Sequence, residues 1–412
     1  MPPRSMVTRL VSPAPSALIW GESRDAWIVC LIAMVMAVFA WGTVFYGNGI
    51  YLPFLHQDRG WSVGSISLAM LFFALAGMLA TFIVGRLVDR VSPTMALVWG
   101  ALTIGPGLIL IGRVDHLWQL YMVYGLFGLG YPALGTAGVS AILSLWFRKR
   151  YGVGLALALS GASIGGSIFP VTMAWLSERI GFADTTLGFG IFLIAVILPL
   201  AGGLFLADRR RLGGVQTAAV SPTGDGVSRV SRRPLFWVVT GACGLTLGAQ
   251  VGFLQHQINY LSIDVSVVTA SLVVTVTVFA GAFGRFLFGW LSARSHPRLL
   301  LALCSTLQAA GLLGIVMAPE FDGRAAASIA IGFVVGAIVM LPPILIRHLF
   351  GSRDFGQIYG LTNIALYIGM GSGPWITGVI HDIAGHYHTA FLMLAGCQLL
   401  AAVILVLARS AR

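Results

Sequence analysis

A chain of 412 residues that is 58% hydrophobic and only 9% charged is not an ordinary soluble domain, which carries about 25% charged residues. Its net charge of +11 would suit nucleic acid if it formed one patch. It recurs instead between successive apolar runs, so a nucleic-acid partner is excluded and the lipid bilayer is the expected surroundings.

Apolar runs place helices near residues 27–51, 63–85, 95–112, 118–143, 151–175, 187–206, 235–260, 266–291, 299–317, 325–346, 356–380 and 389–408. The fold class expected is an all-α integral membrane protein, with twelve transmembrane helices in two pseudo-symmetric six-helix bundles. Residues 1–26, basic and rich in Pro and Ser, hold no signal-peptide core and form a cytoplasmic tail. The first bundle spans 27–206. A polar stretch at 207–234, rich in Arg, Gly and Ser, reads as a flexible cytoplasmic linker. The second bundle spans 235–408, and 409–412 form the C-terminal tail. Cys30, Cys243, Cys304 and Cys397 lie inside apolar runs without ligand spacing and read as small buried hydrophobes.

Charge sets the orientation. Twenty of the 25 Lys and Arg residues fall in the tails, the linker and the even-to-odd loops, including Arg86, Arg148, Lys149, Arg209, Arg232, Arg298 and Arg347. The other side holds four, Arg59, Arg113, Arg179 and Arg324. Positive charge marks the cytoplasmic face, so both termini are expected there, in a plasma membrane of prokaryotic inner-membrane type. A monomer is expected.

The halves echo each other. "GRLVDR" (85–90) recurs as "GWLSAR" (289–294), an offset of 204. Phe147 and Arg150 before span five match Phe350 and Arg353 before span eleven at 203. Pro170 and Pro374 are again 204 apart. Such repeats belong to transporters with the substrate site between two halves.

The stretch Gly85, Leu87, Asp89 and Arg90 resembles the loop motif of the major facilitator superfamily. "WFRKRYGVGLALALSGASIGGSIFP" (146–170), "GWS" (60–62) and the span-eight Arg285 resemble, more narrowly, the monocarboxylate porters and their oxalate–formate exchanger relatives. The resemblance implies a secondary active transporter working by alternating access. Departures accompany it. Ala293 stands where the second loop motif has Asp, and Lys149 is the only lysine, so span eleven lacks the second cation of some oxalate exchangers. Gly281 replaces an Asp, and span one lacks a lysine, that some eukaryotic monocarboxylate porters carry; their proton route does not transfer.

Arg285 is the principal site candidate. It lies nine residues before Arg294, about 13 Å into the membrane at 1.5 Å per residue, where a charge costs roughly 3 kcal/mol or more. Snorkelling is the plain alternative. All 14 acidic residues fall in loops or at their edges, so no span offers a counter-ion, and a fork of donors suits bidentate capture of a carboxylate. One cation favours a small monocarboxylate of lactate or pyruvate type, moved with a proton or by exchange. Gly281, Gly284 and Gly289 flank it and either leave it room or serve close helix packing.

Asn363 and Tyr131 are candidate ligands, as are Tyr46 and Asn48 of span one and Gln250 and His256 of span seven, with Gln257 and Asn259 nearby. For each, interhelical hydrogen bonding is the competing role. His256 is also a candidate for proton movement. Gly85, Asp89, Arg90, Arg150, Arg294 and Arg353 are expected to clasp helix ends and control the gate. The glycines of spans five and eleven read as seams that re-form when the halves rock. "HDIAGHYH" (381–388) matches no strong zinc spacing and reads as a solvated loop, so no metal and no cofactor is expected. No catalytic set falls at one membrane depth, which leaves an enzyme without support. A carrier of another organic anion or drug-like solute, and a sensor that has lost transport, remain alternatives.

Overall fold

The computed structural model describes residues 18–19, 22–147, 150–211, 226–351 and 355–408, with backbone only for Leu18, Ile19, Asp89, Arg90, Arg210 and Arg211. Twelve long helices follow one another: α1 Arg24–Arg59, α2 Val63–Arg90, α3 Pro93–Ile111, α4 Leu117–Trp146, α5 Tyr151–Ile180, α6 Phe182–Arg211, α7 Pro234–Leu261, α8 Val267–Ser292, α9 Pro297–Met317, α10 Phe321–Phe350, α11 Phe355–Ala384 and α12 Tyr387–Leu407. A two-residue antiparallel pair, Leu18–Ile19 with Glu22–Ser23, and one turn of helix at Val227–Val230 are the additions to the expected all-helical plan.

Eleven of the twelve are long and apolar enough to span a bilayer. The exception, α11, is 30 residues long; Asn, Thr, Tyr and Gly dilute its apolar content, as befits a helix that lines an interior. Several helices run past their predicted ends. α2 continues to Arg90, so Gly85, Leu87, Asp89 and Arg90 lie on its last turns and not in a loop. The helices start where the sequence supplies caps. Ser23, Ser62, Ser92 and Ser266 each accept a hydrogen bond from a first-turn N–H, and Pro93, Pro234 and Pro297 open theirs at positions that need no donor. Gly60, with φ of +65°, closes α1 in the left-handed region.

Packing follows a rule. In the first half α1 packs on α5, α2 on α4, and α3 on α4 and α6. Adding six to each number gives α7 on α11, α8 on α10, and α9 on α10 and α12, all of which are found. The halves meet through α2 with α11 and α5 with α8, a set that the same operation maps onto itself. The repeat read from sequence offsets is thus a repeat of packing.

One expectation is corrected here. The glycines of spans five and eleven mostly serve contacts within a half. A Cβ at Gly161 or Gly165 would strike the Met34 or Val38 carbonyl of α1, and one at Gly369 or Gly373 the Gly244 or Gly248 carbonyl of α7. Only Gly371, against Leu71 and Ala74, and Gly378, against Gly64, face the other half.

Candidate functional site

Two helices break regularity at mid-membrane, and each break carries an aromatic residue. In α1 the segment Ala40–Tyr46 is a π-helix, a widening that often marks functional sites. The Tyr51 hydroxyl donates to the Thr43 carbonyl at 2.5 Å and so satisfies a group within the altered ladder. Pro132 and the extended backbone at Gly135 interrupt α4 just after Tyr131. Irregular backbone at this depth is tolerated where it is buried in protein or lines a cavity.

Arg285 projects from α8 towards α10. Gly336 makes space for it: a Cβ there would lie 3.2 Å from Arg285 Nε and 2.4 Å from the Gly281 carbonyl. Gly281 and Gly284, candidates for that role from sequence, lie against the Gly332 and Phe333 carbonyls and serve helix packing. The guanidinium is half-buried. Among the described residues it makes no ion pair or hydrogen bond, and Tyr46 is the titratable side chain close enough to act on it electrostatically.

Tyr46 in turn neighbours Tyr131, and Tyr131 neighbours Tyr367 of α11. Trp41 sits between the first two, its ring centroid 6.3 Å from Tyr46 and 5.9 Å from Tyr131. The Tyr46 ring is seated on Gly166 and the Tyr367 ring on Gly77 of the opposite half. The hydroxyls of Tyr46 and Tyr131 and the amide of Asn363 have no hydrogen-bond partner among the described residues, and none of them is sealed from water. Four residues named from sequence, Arg285, Tyr46, Tyr131 and Asn363, therefore present uncommitted polar groups from both halves. Tyr367 was missed. Its signal was the spacing Tyr359, Asn363, Tyr367, four apart on one helix face.

Three other candidates are engaged elsewhere. Asn48 donates to Gln255 Oε1 at 2.7 Å and accepts from the Tyr124 hydroxyl, and Gln255 Nε2 donates to the Phe45 carbonyl at 3.0 Å. Fully buried His256 donates from Nε2 to the Pro374 carbonyl at 2.9 Å, while Nδ1 accepts from Tyr387 at 3.2 Å. Asn259 donates to the same hydroxyl at 2.7 Å, within the second half; the bonds of Gln255 to Asn48 and Phe45, with Ser67 Oγ 3.4 Å from His256 Nε2, join the halves on the side away from the termini. Gln250 is buried in a glutamine ladder of α7, α9 and α12, accepting from Gln308 at 3.5 Å, with Gln308 accepting from Gln398. None of the three makes a hydrogen bond to Arg285: Asn48 and His256 are bonded inside closed packing, and Gln250 is fully buried within its ladder, where its Nε2 has no partner among the described residues.

The expected gating residues lie at the other end. An added Cβ at Gly85, Gly356 or Gly360 would meet nothing within 4 Å, so each has open space beside it at the terminal ends of α2 and α11. Among the described residues, the hydrogen bond between the two helices that lies nearest the termini joins Thr81 and the Tyr367 hydroxyl, at 3.1 Å. The Arg150 backbone N–H donates to Glu22 at 2.8 Å, and Arg294 lies 4.0 Å over the Trp290 ring. Arg353 lies outside the described residues, as do the side chains of Asp89 and Arg90. The stretch "HDIAGHYH" is not a loop throughout: His381 and Asp382 close α11, and His388 lies in the first turn of α12. No metal-holding group is found among the described residues. On this far side three of the four arginines are paired: Arg59 with Asp115 at 3.0 Å, Arg113 with Asp184 at 3.3 Å and Arg324 with Asp264 at 2.5 Å.

Two repeated six-helix bundles that meet around uncommitted polar groups have the architecture of a membrane transporter. The chain belongs to the Major Facilitator Superfamily, whose family model matches residues 30–263 and 251–412. It is 26% identical over 326 residues to "MFS transporter asaE" of Aspergillus flavus, across 77% of this chain and 71% of that one. It is 23% identical over 393 residues to "Monocarboxylate transporter 13" of Rattus norvegicus, across 93% and 87%. Its fold matches the crystal structure of a bacterial homologue of the human lysosomal transporter Spinster, inward-facing and unoccupied. The TM-score is 0.68 at 16% identity, covering 94% of this chain and 96% of that one.

Proposed function

We propose that this transporter carries a small monocarboxylate, bound at mid-membrane by Arg285. The observation that supports this is the half-buried guanidinium without an acidic partner among the described residues. Every described acidic residue sits near a helix end or in a loop, so the counter-ion must arrive with the solute. Binding neutralises the cation, which makes the loaded carrier easier to occlude than the empty one. Tyr46, Tyr131 and Asn363 supply further hydrogen bonds.

The halves, 27–206 and 235–408, rock about the α2–α11 and α5–α8 contacts. The Asn48, Gln255 and His256 layer closes the side away from the termini. Gly85, Asp89, Arg90, Arg150, Arg294 and Arg353 close the terminal side in the other state. With the termini in the cytoplasm of a plasma membrane, the described state faces inward. The relative named for monocarboxylates agrees with the choice of load, and a larger organic anion is the alternative.

Uptake of radiolabelled lactate, pyruvate and acetate into proteoliposomes tests the reading, with wild type beside Arg285→Ala and Arg285→Lys. Loss of saturable uptake in both variants is expected, since a point charge does not replace a planar fork. Full transport by both would overturn it. A proton accompanying the anion acidifies lightly buffered vesicles; uptake indifferent to pH and without acidification would leave exchange as the mode.

A further inference from the structure

The side chains around Arg285 are more aromatic than lactate or acetate requires. Trp41, Tyr46 and Tyr131 form a continuous wall, and Phe73 backs it with its centroid 5.4 Å from Tyr131. Tyr367 extends the wall from the other half, held against Gly77 and bonded to Thr81. These rings come from α1, α2, α4 and α11, so they converge by folding and not by neighbourhood in sequence. A two- or three-carbon acid offers them almost no surface, whereas a planar ring finds faces and edges on several sides.

The polar groups agree with this size. The hydroxyls of Tyr46 and Tyr131 have no hydrogen-bond partner among the described residues, one beside the guanidinium and the other next to it along the wall. A load that reaches from the guanidinium to Tyr131 runs along the rings of Tyr46 and Trp41. We infer that the preferred solute is an aryl-substituted monocarboxylate, its carboxylate on Arg285 and its ring against Trp41, Tyr131 and Tyr367. This rests on the carboxylate reading of Arg285 and narrows it.

Matched acids test the ring alone. Binding of lactate, 3-phenyllactate, 3-cyclohexyllactate and 3-phenyllactamide to the purified full chain would be measured by scintillation proximity. The panel is run on wild type, Arg285→Lys, Tyr131→Leu, Tyr131→Phe and Tyr367→Leu. Phenyllactate is expected to bind about tenfold or more tighter than lactate and several-fold tighter than cyclohexyllactate. Tyr131→Leu and Tyr367→Leu should shrink the phenyllactate-to-lactate ratio, and Tyr131→Phe, which keeps the ring, should preserve it. If lactate and phenyllactate bind alike and Arg285→Lys weakens both, the aromatic class is overturned and the carboxylate reading stands. Equal binding of the cyclohexyl and phenyl acids overturns the aromatic class in favour of a generic apolar wall. If the amide binds as well as the acid and Arg285→Lys changes nothing, the carboxylate reading falls, and this inference with it.

Discussion

The Asp382 carboxylate at the end of α11 accepts a hydrogen bond from the backbone N–H of Gly64, in the first turn of α2, at 2.7 Å. An anion placed on a helix N-terminus satisfies a free donor and favours the dipole. Here the helix belongs to the other half, so the bond exists only while the side away from the termini is closed. Asp382→Asn should weaken that closure by about 1 kcal/mol, roughly a fivefold shift towards the opposite-facing state. Spin labels at Asp58 and Ile263, exposed on the two halves, should report a larger population of long distances. An unchanged distribution would mean that apolar packing alone holds this face.

Gly336 should tolerate no side chain. With a Cβ 2.4 Å from the Gly281 carbonyl and 3.2 Å from Arg285 Nε, Gly336→Ala must push α8 from α10 at about 1–3 kcal/mol. A lower melting temperature in detergent and a raised KM for the transported acid are the expected pair. Wild-type values for both would remove Gly336 from the site.

Gly85 should behave in the opposite way. Nothing lies within 4 Å of an added Cβ, and Ala is favoured over Gly in a helix by up to about 1 kcal/mol. Gly85→Ala is therefore expected to stabilise the state described here while slowing the cycle, because the terminal side must close over this position. A variant that transports at full rate would show that α2 and α11 never approach closely there.

Asn48 and Asn363 should separate in kinetics. Asn48→Ala leaves Gln255 and Tyr124 without their shared partner, a loss of about 1–3 kcal/mol that falls on the closed state and hence on Vmax. Asn363→Ala removes an amide with no protein partner among the described residues, so KM should rise with little change in stability. The reverse assignment in an uptake series would exchange their roles.

How much of this was visible beforehand depended on whether a property can be read in one dimension. Twelve helices, the repeat and Arg285 were legible, because hydrophobicity, offset and an unpaired charge in an apolar run do not depend on neighbours in space. The destinations of the uncharged polar residues were not. Asn48 and Gln255, 207 residues apart, look as much like ligands as Asn363 and Tyr131 do. Only the closed packing of one end consumes the first pair and leaves the second without partners among the described residues. The glycines misled for a related reason: Gly161 and Gly373 signal a close helix contact, but a small residue does not name the helix that approaches it.

The sequence by itself determined that the chain lives in lipid, that it is built twice over, and that one guanidinium sits in an apolar run with no acidic residue beside it. These follow from transfer free energies, which act residue by residue. The tertiary structure decided which polar groups still have hydrogen bonds to offer, which end is shut, and that an aromatic wall begins beside the cation at Tyr46. Those depend on which helices touch, and six-helix halves that pack by one rule can meet in more than one way.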